Sequence, residues 1–533
     1  MNNSQPIYDA FIIGGGINGA AIANNLAAKG YYVALCDEND VSGEASNHGN
    51  KLFQCGLEHL ENLNLSHVSS ALKERSVLYS QAPHLMQAID IVIPDAPAVR
   101  SSLKVKAGSM LYGWLLRSET SMKPYTENIA NTPYSQPLKE ASHTATLCQE
   151  YLVNDSRLAI ENLLGAQKNH CQLLSKTKVI SGSLSKGTWK LNLEDTINGD
   201  QLTVSTHCIV NAAGAWAQSV LKQALGCETR CRQPLERHSY IVIPKFYKGR
   251  HGYMLQLPNH QFLSVLPYDT DFCIVGPVIS PIIEKELCAP APPTKHNNAH
   301  TNTAESNALV QQLNQYFNIK LSTKDIAWTF SSVKPATLDT QQPVHMLDLH
   351  CRDGKSPVIS VFSGHITTHR ILAEQVYECL HPYLPAPVAT GQTSTQNTLP
   401  GGEYTAETGS KPSNFEAFTA ALRTQYFWLP KPLLTRYCST YGTRAKGLLN
   451  GAVNLSSLGE EVLPALYEIE LHWLIETEWV TSSEEVLWRR TKLGIRATKE
   501  ETERLDTWFK YHYQHNSAVS KVDKLVHSNC KAS

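Results

Sequence analysis

The stretch from Tyr8 to Asp37, YDAFIIGGGINGAAIANNLAAKGYYVALCD, constrains this chain more than any other. An apolar run, Ala10 to Ile13, enters Gly14-x-Gly16-x-x-Gly19, after which Ala20, Ala21, Ile22, Ala23, Leu26 and Ala27 fall at helical spacing. Lys29-Gly30 stops that helix, Tyr31 to Cys36 reads as a second strand, and Asp37 closes it 18 residues after Gly19. The pattern predicts strand, tight turn, helix, strand, which is the arrangement that binds a dinucleotide. Gly14 permits the turn, Gly16 lets the backbone approach a pyrophosphate, and Gly19 lets the helix pack on the strand. The helix N-terminus, with Gly15 and Asn18 beside it, attracts the phosphate charge. A carboxylate at Asp37 suits a ribose hydroxyl and repels a 2′-phosphate, which disfavours NADP and leaves FAD or NAD.

Charge and length narrow the rest. The 533 residues, 42% hydrophobic, suffice for a large core and more than one structural unit. Lys and Arg number 47 against 48 Asp and Glu, so no basic field invites nucleic acid. The 13 cysteines form no CxxC pair, and Cys227 with Cys231 lacks a second pair to complete a zinc site; no metal is expected, and the thiols read as reduced and cytoplasmic. The opening MNNSQPIYDA has neither a charged nor an apolar leader region, and no run of about 18 apolar residues occurs, so neither secretion nor membrane spanning is expected.

Along the chain, the polar passage Glu38 to Asn50, which holds Ser46, and Lys51-Leu52 after it are expected to face the cofactor. Helices are expected from Leu57, a strand at Asp90 to Pro94, and an amphipathic helix from Lys104 to Arg117. That last segment suits either a membrane surface or, as the favoured reading, packing on its own domain. A helix is expected from Ser156 and a strand from Cys171 to Ser181. His207 to Trp216 reads as a strand whose Ala213-Gly214 turn approaches the nucleotide. Tyr240 to Pro244, Phe262 to Pro267, Phe272 to Pro277 and Ile326 to Val333 read as strands of a β-rich part, interrupted by a surface loop from Ile279 to Ser306. Val358 to Phe362 leads into SGHITTHR, where Gly364, Ile366 and Thr367 again suggest cofactor approach. Pro385 to Gly402 reads as a linker before a helical region in which Val462, Leu466, Ile469 and Trp473 share one face and Ser482 to Glu485 forms a capping box.

Taken together, the opening fingerprint, VNAAGAW, WTFSSVKP, SGHITTHR, LPGG, TYGT and the closing EWVTSSEEVLWRRTKLG resemble, in the same order, the FAD-dependent glycerol-3-phosphate dehydrogenases, from Tyr8 to about Trp508. The resemblance implies non-covalent FAD and an α/β fold: a Rossmann-type FAD domain of the glutathione-reductase-like or D-amino-acid-oxidase-like kind over residues 1–385. It implies an interleaved β-rich substrate part, about 81–150 and 228–350, a linker at 386–402 and a C-terminal α-helical domain at 403–533. It also implies a small-molecule substrate, electrons passed to quinone, peripheral attachment to the cytoplasmic membrane from the cytoplasmic side, and a possible homodimer.

The departures fall on the substrate side. Where the family reads KLIHGGLRYLE, this chain has Glu58-His59 in place of an Arg-Tyr pair; VRP becomes Val333-Lys334-Pro335, and GGKLTTYR becomes SGHITTHR. The family's GSHIVVP puts Tyr240 where a histidine is expected, directly after His238-Ser239. By carry-over, Lys334, Arg370, Glu58 and His59 would meet the substrate, while His365, His369 or Tyr240 would act as the base. A phosphomonoester favours bidentate arginines, and a carboxylate such as Glu58 about 4 Å from it opposes binding by about 4 kcal/mol. Three functions follow: oxidation of sn-glycerol 3-phosphate to dihydroxyacetone phosphate, oxidation of another hydroxy or amino acid on the same fold, or flavin binding without turnover.

Overall fold

The computed structural model describes residues 7–53, 65–96, 102–115, 123–139, 144–229, 231, 234–259, 261–282, 303–336, 345–352, 354–362, 364–387, 398–404 and 415–512. Two large sheets and a helical C-terminal region carry them.

The first sheet has eight strands, with the central order Leu347–His350, Val358–Val361, Gln201–Asn211, Ile7–Ile13, Val33–Asp37, Gln172–Ser175. Ile7–Ile13 pairs in parallel with Val33–Asp37 on one side and Gln201–Asn211 on the other, and Val358–Val361 runs parallel to the latter. The carboxyl ends of these strands therefore share one edge, where open α/β sheets place their ligands. The helices Ile17–Ala28, Asp155–Lys168 and His369–Leu380 cover one face, with Ala20, Ala23, Leu158, Leu163, Leu372 and Val376 in one core cluster. Alanines in Ile17–Ala28 keep that helix close to the strands beneath it.

The second sheet has nine strands, in the order Trp328–Pro335, Leu235–Pro244, Phe272–Pro281, Phe262–Tyr268, Gly252–Gln256, Met86–Pro94, Thr144–Val153, Leu52–Phe53, with Tyr125–Asn128 on Thr144–Val153. Alternation along Leu235–Pro244 separates its faces. Ile241 and Ile243 join the core that holds Leu309 and Leu313 of the helix Thr303–Tyr316, and Ser239 donates to Glu305 of that helix at 2.8 Å. Tyr240 and Val242 point the other way, into a cluster with Leu52 and Phe330. Leu347–His350, expected within the substrate part, pairs instead with Val358–Val361 of the first sheet.

Sequence periodicity erred in two C-terminal places. Val462 and Leu466 do not share a helix face with Ile469 and Trp473: they lie on a two-stranded hairpin, Glu461–Leu463 with Leu466–Tyr467, and the helix begins only at Glu468. Pro464, followed by Ala465 in the left-handed region at φ 63°, turns the chain where the pattern alone reads as continuous helix. The expected capping box is displaced by one residue: the Glu485 carboxylate accepts from the Thr481 N–H at 2.7 Å, and residues Glu485–Arg490 wind as a π-helix. Cys171 to Ser181, read as one strand, is two, Gln172–Ser175 and Thr177–Ser185, split at Lys176 with φ 54°. The Phe272–Pro281 strand extends three residues into the expected 279–306 loop.

Helices Phe415–Gln425, Lys431–Tyr441, Glu468–Glu478 and Lys499–His512 enclose a core of their own around Tyr437, Tyr441, Leu471 and Leu474. This region docks through buried charge: Glu478 accepts from Arg157 Nη2 at 3.0 Å and Arg444 Nη1 at 2.7 Å. Trp488 stacks on Trp328 of the second sheet, ring centroids 3.9 Å apart.

Candidate cofactor and substrate site

Four turns meet at the carboxyl edge of the first sheet. Gly14 adopts φ 106°, and a Cβ there would stand 2.5 Å from the Ala212 carbonyl oxygen, so the turn requires glycine. A Cβ on Gly19 would fall 1.9 Å from the Gly14 carbonyl oxygen, which is the close helix-to-strand contact the fingerprint demands. The N–H of Ile17 donates to Ser46 Oγ at 2.8 Å, and the Gly15 N–H donates to Asp37 Oδ2 at 2.7 Å. Burial pushes the Asp37 carboxyl up to about 7 against the hydrogen bonds from Asn39 and Gly15. Gly364 lies against the Asn18 side chain, where a Cβ would come 2.7 Å from Nδ2. The start of the Ile366–Thr368 turn and its following helix therefore converges on the start of Ile17–Ala28. Asn18 Oδ1 is buried there without a hydrogen-bond partner among the described residues. Two converging helix starts, a glycine turn and an orphaned buried amide oxygen fit a dinucleotide's polar chain, as FAD requires.

Lys51-Leu52 carries the chain from this groove to the second sheet. Lys51 adopts φ 62°, its carbonyl accepts from the Val153 N–H at 2.7 Å, and its ammonium reaches Asp155 at 2.7 Å and lies 5.6 Å from the Phe330 ring centroid. Lys492, delivered by the C-terminal region, bonds the Asn47 side chain and stands 3.9 Å from Asp155. His48 tilts against Phe330 at 5.8 Å, and burial followed by the Lys51 and Lys492 charges depresses its imidazole to about 3.

Across the groove, the second sheet presents one face built from paired residues. Tyr240 is opposite Phe330, His238 opposite Ser332, and Glu236 opposite Lys334. Tyr240 stacks on Phe330 at 5.1 Å. Burial lowers Lys334 to about 8, partly countered by Asp155. Burial lowers His238 to about 3, with the charges of Lys334 and His365 adding to the effect. His365, exposed at the start of its turn, thus faces the same space as His238 and Lys334.

Of the residues expected from the sequence, Tyr240 and Lys334 share one face of the second sheet and His365 lies on a turn near His238; the contacts above also bring Gly14, Gly15, Asn18, Gly19, Asp37, Ser46 and Gly364 together. The structure sets two others apart. His369 is buried with Nδ1 donating to the Ile366 carbonyl at 2.7 Å, and it lines a small separate cavity with Asn24, Asn25 and Gln81. The Arg370 guanidinium is engaged by Glu74, Nε to Oε2 at 2.8 Å. A charged fork already satisfied by a carboxylate is a poor phosphate ligand. Glu58 and His59 lie outside the described residues. Sequence reading passed over His238, although period-two alternation puts it on the same face as Tyr240. It also missed Asp40, His48, Asp155 and Lys492, whose importance depends on long-range neighbours.

A family model for FAD dependent oxidoreductases matches residues 9–374. A glycerol-3-phosphate dehydrogenase of Pseudomonas aeruginosa is 32% identical over 96% of this chain and 97% of its own. A D-erythritol 1-phosphate dehydrogenase of Brucella abortus is 30% identical, over 94% and 97%. The aerobic glycerol-3-phosphate dehydrogenase of Escherichia coli is 30% identical, over 96% and 99%. The crystal structure of the Bacillus halodurans glycerol-3-phosphate dehydrogenase complexed with FAD superposes with a TM-score of 0.69 at 19% identity, covering 96% of this chain and 95% of that one. Glycine turns shaped for a dinucleotide, a β-rich face across the groove and these matches lead to one conclusion: the chain belongs to the FAD-dependent oxidoreductases, in the family of the aerobic glycerol-3-phosphate dehydrogenases.

Proposed function

We propose that the protein oxidises the secondary hydroxyl of a phosphorylated polyol, sn-glycerol 3-phosphate giving dihydroxyacetone phosphate, and passes the electrons to quinone. The observation that carries this reading is Lys334, a half-buried ammonium with no hydrogen-bond or ion-pair partner among the described residues, on a face it shares with His238 and Tyr240. A cation left unmatched in a partly desolvated place favours an anion, and a phosphomonoester supplies one. Relatives that act on glycerol 3-phosphate support the same class of substrate. Bound FAD supplies the hydride acceptor. Lys334 holds the phosphate, His365 and Tyr240 border the reacting carbon, and the aromatic stack of Tyr240 on Phe330 helps to exclude water.

A longer polyol phosphate is the second reading, favoured by a relative of similar identity named for D-erythritol 1-phosphate. Lysine in place of arginine leaves a point charge rather than a rigid fork, which tolerates a phosphate at more than one reach.

Peripheral membrane attachment is supported by the helix Ser102–Leu115. Its Tyr112 is buried and donates to Glu150 at 2.7 Å, while Met110 and Trp114 are 77% and 54% exposed. Lys104 and Lys106 precede them in the sequence, the composition of a surface-lying segment. Among the described residues no helix is long and apolar enough to cross a membrane.

Anaerobic addition of sn-glycerol 3-phosphate or D-erythritol 1-phosphate to the holoprotein, followed by flavin absorbance, tests the reading. Bleaching by either supports it, with the faster one naming the substrate; a flavin left oxidised by both at saturation would refute it.

A further inference from the structure

The resemblance read from the sequence implies a histidine at position 240, and this chain has Tyr240 there, with His238 two residues before it on the strand Leu235–Pro244. Residues two apart on a strand share a face. Three observations make that relation hold here. Ser239 points away, donating to Glu305 at 2.8 Å, so His238 and Tyr240 share the opposite face, where Tyr240 packs on Phe330. The pairing with Trp328–Pro335 is continuous through His238 opposite Ser332 and Tyr240 opposite Phe330. Glu236, next on that face, brings a carboxylate oxygen to 3.6 Å from His238 Nε2.

We propose that His238 is the proton acceptor of the reaction, through Nδ1, with the Glu236 carboxylate 3.6 Å from Nε2 as a positioning charge rather than a hydrogen-bond acceptor. This rests on the polyol phosphate reading above. In the step, the substrate O–H proton would pass to His238 Nδ1 as the C–O bond becomes a carbonyl, and FAD, when bound, would supply the acceptor for the carbon's hydrogen and its two electrons. Among the described residues, the charged groups acting on the imidazole are Glu236 on its own strand, Lys334 on the adjacent strand and His365 on its turn. In the free protein, burial and the nearby cations keep the ring neutral, which is the form a base needs. A phosphate dianion beside Lys334 offsets that cation and raises the basicity of His238 when substrate is present.

The test is anaerobic flavin reduction by sn-glycerol 3-phosphate in wild type, His238→Gln and the relocated pair His238→Gly with Tyr240→His. Dithionite reduction and flavin content verify that each variant holds its cofactor. His238→Gln is expected to slow reduction by about a hundredfold or more and to lose the acid limb of the rate against pH, and the relocated pair to recover at least a tenth of the wild-type rate. A His238→Gln rate within about threefold of wild type, or an unchanged pH profile, would overturn the assignment. If wild-type flavin is not reduced by this substrate, the function reading fails on that arm. The assignment is then decided by a flavin difference titration with sn-glycerol 3-phosphate: a pH-dependent affinity abolished in His238→Gln supports it, and identical titrations overturn it.

Discussion

Arg490 and Asp40, 450 residues apart in sequence, are joined by two buried hydrogen bonds, Nη1 to Oδ2 at 2.6 Å and Nη2 to Oδ1 at 2.9 Å. Asp40 opens the loop that ends at Lys51 and contains Ser46, the acceptor for the Ile17 N–H at the cofactor helix. Arg489 also bonds Asp40, its carbonyl accepts from Ser156 Oγ at 2.9 Å, and Lys492 bonds Asn47. The C-terminal WRRTK segment therefore holds both ends of a loop that lines the cofactor groove.

Arg490→Met is expected to weaken that hold by about 3–5 kcal/mol, because it leaves Asp40 buried with part of its charge unmatched. Heating the holoprotein while recording the fluorescence of released FAD measures it. Release at the wild-type temperature would mean that the loop is held elsewhere.

Acid should loosen the same junction. Burial alone would raise the carboxyls of Asp40 and Glu478, but Arg490 and Arg489 on one and Arg157 and Arg444 on the other outweigh it and hold both near 2. Unfolded carboxyls titrate near 4, so between about 4 and 2 the unfolded chain binds more protons than the folded one. The stabilisation is thus complete above pH of about 4 and lost as pH falls through 2. Urea midpoints by tryptophan fluorescence across this range should fall with pH in wild type and less steeply in Asp40→Asn.

Gly14→Ala should abolish flavin binding, since its Cβ would meet the Ala212 carbonyl oxygen at 2.5 Å in a left-handed backbone conformation. Gly108→Ala, with nothing within 4 Å of its Cβ, should leave flavin content intact and raise stability by about 0.5–1 kcal/mol. The ratio of flavin to protein absorbance after gel filtration separates the two; equal loss of flavin would rule out the steric explanation.

Lys334→Ala should raise the KM for the phosphorylated substrate by about tenfold to a hundredfold, the equivalent of one charge-assisted hydrogen bond of about 1.5–3 kcal/mol. The maximal rate of flavin reduction should change less than the KM. Stopped-flow reduction at varied substrate concentration resolves these quantities, and an unchanged KM would remove Lys334 from the phosphate site.

The cofactor half of the site was legible because its determinants are local. Gly14, Gly16, Gly19 and Asp37 owe their roles to backbone conformation and to neighbours within one strand-turn-helix-strand unit, and such needs restrict residue type directly. The β-rich strands were legible for the same reason, through alternation. The substrate half was read by carry-over, which treats each position alone. It gave Arg370 a ligand role without knowing that Glu74, 296 residues away, already engages it. It also passed over His238, whose nearness to Lys334 arises only when Leu235–Pro244 pairs with Trp328–Pro335, setting His238 opposite Ser332 and Glu236 opposite Lys334.

Sequence by itself thus determined that a nucleotide-binding βαβ unit starts the chain, that FAD is its cofactor by kinship, and that a helical region ends it. Tertiary structure decided which charges are already matched and which are not. Arg490, Arg370 and Lys51 all read as cations in the sequence, yet each is satisfied by a carboxylate in the fold, while Lys334 has no such partner among the described residues. Whether a cation can bind a ligand depends on what the fold packs against it, because desolvation and pairing energies arise only when distant segments meet.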